Sequence, residues 1–332
     1  MDVLTSFFLG HPLWMWLGFM GLVMALLALD LGVLHRGSRE IGVRESLALS
    51  AFYIVLGLGF GGFVWWQLGT QASVEYITGF VVEKSLAMDN IFVIAMIFGF
   101  FAIPRRYQHR VLFWGILGVI VLRAIMIGFG AALVAQYEWV LYLFAAFLIV
   151  TGLKMLWWGD QETDLAQNPL LRLIKRRFRV TRRLHGERFF VRRRSGNGRS
   201  ILFLTPLFLA LVFIEIADVI FAVDSVPAIF AITTDPYIVY TSNIFAILGL
   251  RALYFALAAV LHRFADLKQA LAVLLVFIGS KVFVADLFGW AKFPAEWSLA
   301  VTFAILGAGI GWSLWKTRDE GHAGEGQKAL SH

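Results

Sequence analysis

TPLFLALVFIEIADVIFAVDSVPAIFAITTDPYIVYTSNIFAILGLRALYF (205–255) joins two long apolar runs through the turn residues Thr233, Thr234, Asp235 and Pro236. Each run can cross a hydrocarbon core of roughly 30 Å as a helix. The first carries three carboxylates, Glu215, Asp218 and Asp224. An acid at the centre of a membrane helix costs about 2.5–3.5 kcal/mol on insertion scales, so it faces a partner, water or a substrate. Three in one span point to a polar site inside the membrane.

Outward from this block the same reading recurs. Of 332 residues, 60% are apolar and 15% charged, against about 25% charged in soluble domains; mean hydropathy is +0.77. The pattern predicts an all-α polytopic membrane protein with nine spans, at about 12–34, 45–67, 76–103, 108–135, 139–158, 201–232, 237–261, 269–290 and 297–316. MDVLTSFFLGHPLWMW lacks a basic n-region and a small-residue cleavage site, so it reads as the start of the first span, not a removable leader. No cysteine is present, which excludes disulfides, thiolate metal sites and thiol chemistry.

Basic residues fix the expected orientation, because Lys and Arg gather in cytoplasmic loops. Arg36, Arg39 and Arg44 follow the first span; Arg105, Arg106 and Arg110 follow the third; twelve lie in 159–200; Arg263 and Lys268, then Lys316, Arg318 and Lys328, complete the set. The alternate loops carry Lys292 alone. This places the N-terminus outside and the C-terminus in the cytoplasm of a cell (inner or plasma) membrane. The transmembrane domain then covers 1–318, with the 159–200 loop as a solvated positive-inside linker lying partly on anionic lipid. No nucleic-acid reading module accompanies its charge. The Gly-rich tail 319–332 is expected to be disordered.

An internal repeat emerges. EKSLAMDNIFVIAMIFGFFAI (83–103) aligns with DVIFAVDSVPAIFAI (218–232), GILGVIVLRAIMI (115–127) with AILGLRALYF (246–255), and FLIVTGLKMLW (147–157) with LLVFIGSKVFV (274–284). Glu83 thereby matches Asp218, Asp89 matches Asp224, Asn90 matches Ser225, Arg123 matches Arg251, Gly152 matches Gly279 and Lys154 matches Lys281. Units of three spans, about 76–158 and 201–290, must cross in opposite senses, and inverted repeats place a transporter's site at their interface.

The candidate metal-site residues are Glu83, Asp89, Asn90, Glu215, Asp218, Asp224, Ser225 and, near the inner end of its span, Asp30. Pro227 lacks the amide that would bond the Val223 carbonyl, so a break beside Asp224 is expected to gather the acids into one oxygen-rich site. Oxygen donors suit Mg²⁺, Ca²⁺ or Mn²⁺; Met88 could add a softer ligand. The competing reading pairs these acids with the intramembrane bases Lys84, Arg123, Lys154, Arg251 and Lys281, with Lys154 and Lys281 as the counter-ions. Ser242 and Asn243 read as caps.

The block 205–255, VEKSLAMDNIFV (82–93) and LALDLGV (27–33) resemble the motifs of the TerC family of integral membrane proteins, the group that includes the alkaline-inducible Alx proteins. The resemblance implies manganese export or homeostasis and assigns the motif residues Glu83, Asp89, Asn90, Glu215, Asp218, Asp224 and Ser225 to a metal site. It also implies the older tellurite-resistance phenotype. The expected function is a gradient-driven exporter of divalent cations, Mn²⁺ first, with the ion as cargo and no cofactor. The alternative is a non-transporting membrane component of a metal or tellurite stress-resistance complex. No Gly-x-Ser-x-Gly elbow, mid-span His or Gly-x-x-x-x-Gly-Lys loop supports an enzyme or an ATP-driven pump.

Overall fold

The computed structural model describes residues 6–32, 42–137, 139–158, 176–177, 179–181, 183–194, 200–257, 267–290 and 293–329. Its long helices are α1 (Leu13–Gly32), α2 (Val43–Leu68), α3 (Thr70–Phe100), α4 (Arg105–Gln136), α5 (Trp139–Trp158), α6 (Pro206–Phe230), the broken pair α7 (Pro236–Leu248) and α8 (Leu250–Leu257), α9 (Leu267–Leu287) and α10 (Ala295–Ala329). With α7 and α8 taken together, eight of these are long and apolar enough to cross a membrane. The ninth, α3, is equally long but carries Glu75, Glu83, Lys84 and Asp89. Among the described residues nine spans result, as expected. Exposed tryptophans mark their ends: Trp65 and Trp66, Trp139 and Trp157, Trp297, Trp312 and Trp315, the interfacial positions that amphipathic rings favour.

Local sequence sets the boundaries. Gly69, at φ +90°, is the whole connection between α2 and α3, a conformation that a side chain would strain. Along that hairpin Gly57 and Gly61 admit Phe80 and Tyr76 of α3, while Tyr76 and Ser73 donate to the Gly57 and Gly61 carbonyls. Asp235 caps α7 by accepting from the Tyr237 amide at 2.9 Å, with Pro236 at the first helical position. Helix α7 is almost wholly buried and forms the axis around which the others pack.

The repeat has a physical signature where α5 crosses α9. A Cβ on Gly152 would lie 2.6 Å from the Ala272 carbonyl and 2.7 Å from Val276; one on Gly279 would lie 2.5 Å from the Ala145 carbonyl and 2.8 Å from Ile149. Ala145 and Ile149 are the repeat equivalents of Ala272 and Val276, so the contact is reciprocal. Residue numbers rise on α5 as they fall on α9, so the helices run antiparallel. A reciprocal antiparallel contact has its two-fold axis perpendicular to the helices, in the membrane plane. Small residues bring the backbones together there, as membrane helices require. The units also exchange partners: α3 packs on α7 and α6 on α4, so the first helix of each repeat lies against the second helix of the other.

Three expectations are corrected. Residues 200–204 form a strand, β4 (Ser200–Leu204), paired antiparallel with β3 (Phe190–Arg194), so the sixth span begins at Pro206 and the basic segment ends in a hairpin. Residues 159–175 lie outside the described residues. A second two-residue pairing, β1 (Phe7–Phe8) with β2 (His11–Pro12), precedes α1. Helix α10 runs on to Ala329, through most of the tail expected to be disordered; no proline interrupts the ladder after Ala295, and a formed helix propagates at one bond per residue.

Candidate functional site

Arg123, near the middle of α4, is the largest of the fully buried side chains among the described residues, at 1% exposure. Its Nη1 donates to Glu83 Oε1 of α3 at 2.6 Å and to Asn243 Oδ1 of α7 at 3.0 Å, with Ser225 Oγ of α6 at 2.6 Å. Its Nε and Nη2 fork onto the two oxygens of Asp218, each at 3.3 Å. Asn243 Nδ2 donates in turn to Glu83 Oε2 at 3.4 Å. Glu83 and Asp218 hold equivalent positions in the two repeats. Seven residues separate Asp218 from Ser225, two helical turns, so both face Arg123. Two carboxylates and one guanidinium leave a formal charge of −1, and a buried charge persists only where its partners are close and its hydrogen bonds are met.

Around this centre lie four further ionic positions. Arg251 of α8 pairs with Asp30 of α1, both buried. Lys84, one residue past Glu83, donates to the Ala246 carbonyl at 2.9 Å, where α7 stops at Leu248 and α8 starts at Leu250. Its ammonium fills the space beside Gly249 that a Cβ would occupy. Glu215, one turn before Asp218, places its carboxylate in the corresponding space beside Gly118, and its buried Oε2 has no hydrogen-bond partner among the described residues. Asp224 faces α5, where Thr151 hydrogen-bonds it and Lys154 lies within electrostatic reach.

The pattern of the "Integral membrane protein TerC family" matches residues 68–321. The chain belongs to the TerC family. An "Uncharacterized membrane protein STKORF319" of Myxococcus xanthus is 47% identical over 304 residues, 92% of this chain and 93% of the relative. An "Uncharacterized membrane protein" of Rickettsia bellii is 46% identical over 295 residues, 89% and 95%. The Escherichia coli K12 protein named "Putative membrane-bound redox modulator Alx" is 46% identical over 306 residues, 90% and 92%. No solved structure matches.

In this TerC protein the candidates separate into groups. Glu83, Asp218 and Ser225 meet at Arg123, and Asn90 is buried two turns beyond Glu83 on α3. Glu215 is adjacent but apart. Asp224 lies on another face, and Asp30, in the last turn of α1, belongs to the Arg251 pair. The side chain of Asp89 lies outside the described residues. The expected break beside Asp224 is absent: α6 continues through Pro227 to Phe230, because the missing amide falls in the last turn, where the ladder is ending. The broken span is the next one, at Gly249. Among the described residues no three His, Asp or Glu side chains converge as metal ligands. Lys154 does stand beside Asp224, whereas Lys281 donates to Ser298 of α10 at 3.0 Å. The sequence reading missed Arg123 as the hub and Asn243 as its partner. An asparagine in the middle of an otherwise apolar span was the signal for the second, misread as a cap.

Proposed function

We propose that this protein is a gradient-driven transporter that exports divalent cations, Mn²⁺ first, across the cell membrane. The observation that carries the reading is the meeting of Glu83 and Asp218, equivalent acids of two inverted repeats, in one buried centre with Ser225 and Asn243. Carboxylate, hydroxyl and amide oxygens suit a hard divalent ion. Rocking one repeat against the other would open such a centre to either side in turn. Asp89 and Asp224, a second equivalent pair, and Glu215 are proposed to line the route. The positive-inside bias puts the N-terminus outside and the basic hairpin in the cytoplasm.

Flux of a panel of ions from proteoliposomes tests this. Mn²⁺ should move in the wild type and not in Glu83→Gln or Asp218→Asn; equal flux in empty vesicles ends the proposal. The non-transporting alternative predicts no flux in any of them. A direct thiol-based redox role, suggested by the name of the Escherichia coli relative, has no residue to act through, since the chain has no cysteine.

A further inference from the structure

We propose that Arg123 is a tethered substitute for the transported cation: its guanidinium fills the site in the unloaded carrier and so permits the empty protein to return across the membrane. The inference rests on the transport reading above. Three oxygens from three helices, Glu83 Oε1, Ser225 Oγ and Asn243 Oδ1, lie 2.6–3.0 Å from one nitrogen. A guanidinium Nη carries two hydrogens. Three acceptors around it exceed what those two hydrogens can serve, so the gathering is set largely by charge. This is the donor set that a hard ion draws in, at about 2.0–2.6 Å. A divalent ion bound by the same oxygens would take the place of Nη1, and two positive centres cannot share it. Loading therefore requires Arg123 to withdraw.

The consequence concerns the unloaded state. Without an ion and without Arg123, two carboxylates would stand uncompensated at the depth of the hydrocarbon, each carrying the desolvation penalty of a buried, unpaired charge. A carrier in that condition crosses only when reloaded and can exchange ions but not release them net. Arg123 removes the obstacle. It also acts as a charge filter. A monovalent ion brings no more charge than the guanidinium it must displace and forfeits the fork to Asp218, whereas a divalent ion brings twice as much. The repeat equivalent, Arg251, is held by Asp30 of α1, outside both repeats, so the device exists in one half alone.

The test uses the full-length protein in proteoliposomes loaded with radiolabelled Mn²⁺. Efflux into metal-free buffer measures net transport; efflux against external unlabelled Mn²⁺ measures exchange. Wild type should show both. In Arg123→Gln net efflux should fall about a hundredfold or more, the consequence of an uncompensated dianionic site, while exchange stays within about threefold of wild type and Na⁺ begins to compete. Arg123→Lys keeps the charge and should keep the wild-type ratio of net efflux to exchange. An Arg123→Gln protein that is monodisperse and either retains net efflux or loses exchange equally overturns the inference. If that variant aggregates, Arg123→Lys decides: exchange without net efflux overturns, and both together support. Wild-type vesicles silent in both modes would instead remove the transport reading itself, and this inference with it.

Discussion

The stretches Ile116-Leu117-Gly118 to Arg123 in α4 and Ile247-Leu248-Gly249 to Arg251 in α7–α8 occupy equivalent places in the two repeats, yet their chemistry is inverted. Beside Gly118 the other repeat inserts a carboxylate, Glu215; beside Gly249 it inserts an ammonium, Lys84. Five residues separate Gly118 from Arg123 along an unbroken helix, but only two separate Gly249 from Arg251, and the helix breaks between them. The shorter spacing turns Arg251 away from the shared centre toward Asp30, whereas Arg123 reaches the acids of both halves. Equivalent positions thus hold a carboxylate in one half and an ammonium in the other. Inverted repeats fix where polar groups can meet, and single insertions and charge reversals decide what they do there.

The contrast breaks most visibly at the acids. Asp218→Asn should lower Mn²⁺ flux in proteoliposomes by about a hundredfold, the order expected when a divalent ion loses a carboxylate that offsets its desolvation. Asp30→Asn should leave a measurable flux but strand Arg251, lowering stability by about 3–5 kcal/mol in thermal unfolding of the detergent-solubilised protein. Pairing it with Arg251→Met should recover most of that loss. If Asp30→Asn silences a stable protein while Asp218→Asn transports, the roles are reversed.

Smaller effects sharpen the symmetry. Gly152→Ala and Gly279→Ala each press a methyl onto a backbone carbonyl and should lose about 1–3 kcal/mol by overpacking, and by similar amounts, because the contact is reciprocal. Strongly unequal losses would show that the axis does not pass there. Gly249→Ala meets the Tyr53 side-chain root as well as Lys84 and should also destabilise. Gly118→Ala meets the movable end of Glu215, and the helix gains about 0.5–1 kcal/mol in propensity, so its unfolding temperature should hardly change.

Much of this was legible in the sequence because membrane constraints are severe. Length and polarity defined nine spans, and the costly acids of 215–224 announced a polar interior. The order of Glu83/Asp218, Arg123/Arg251 and Gly152/Gly279 revealed the repeat. What escaped depended on rotation and register. Pro227 was read as a break because the end of α6 could not be placed to within a turn. Gly249 gave no such signal, since Gly118 sits in the same motif without breaking its helix. Whether Asp224 or Asp218 shares a face with Glu83 depends on how α6 is turned against α3, and packing alone sets that. The hairpin at 190–204 was hidden because its strands are short and embedded in basic residues.

The reciprocal crossing of Gly152 and Gly279 lies on the pseudo-two-fold axis, and a point on such an axis maps onto itself. In the proposed transport cycle, where the halves trade conformations, off-axis contacts such as that of Gly79 with Ser242 must trade neighbours with their counterparts. The α5–α9 crossing alone finds the same neighbours before and after. In that cycle it would serve as the fulcrum, a joint that can be tight because it never has to open, so glycines can bring two backbones together there without locking the motion.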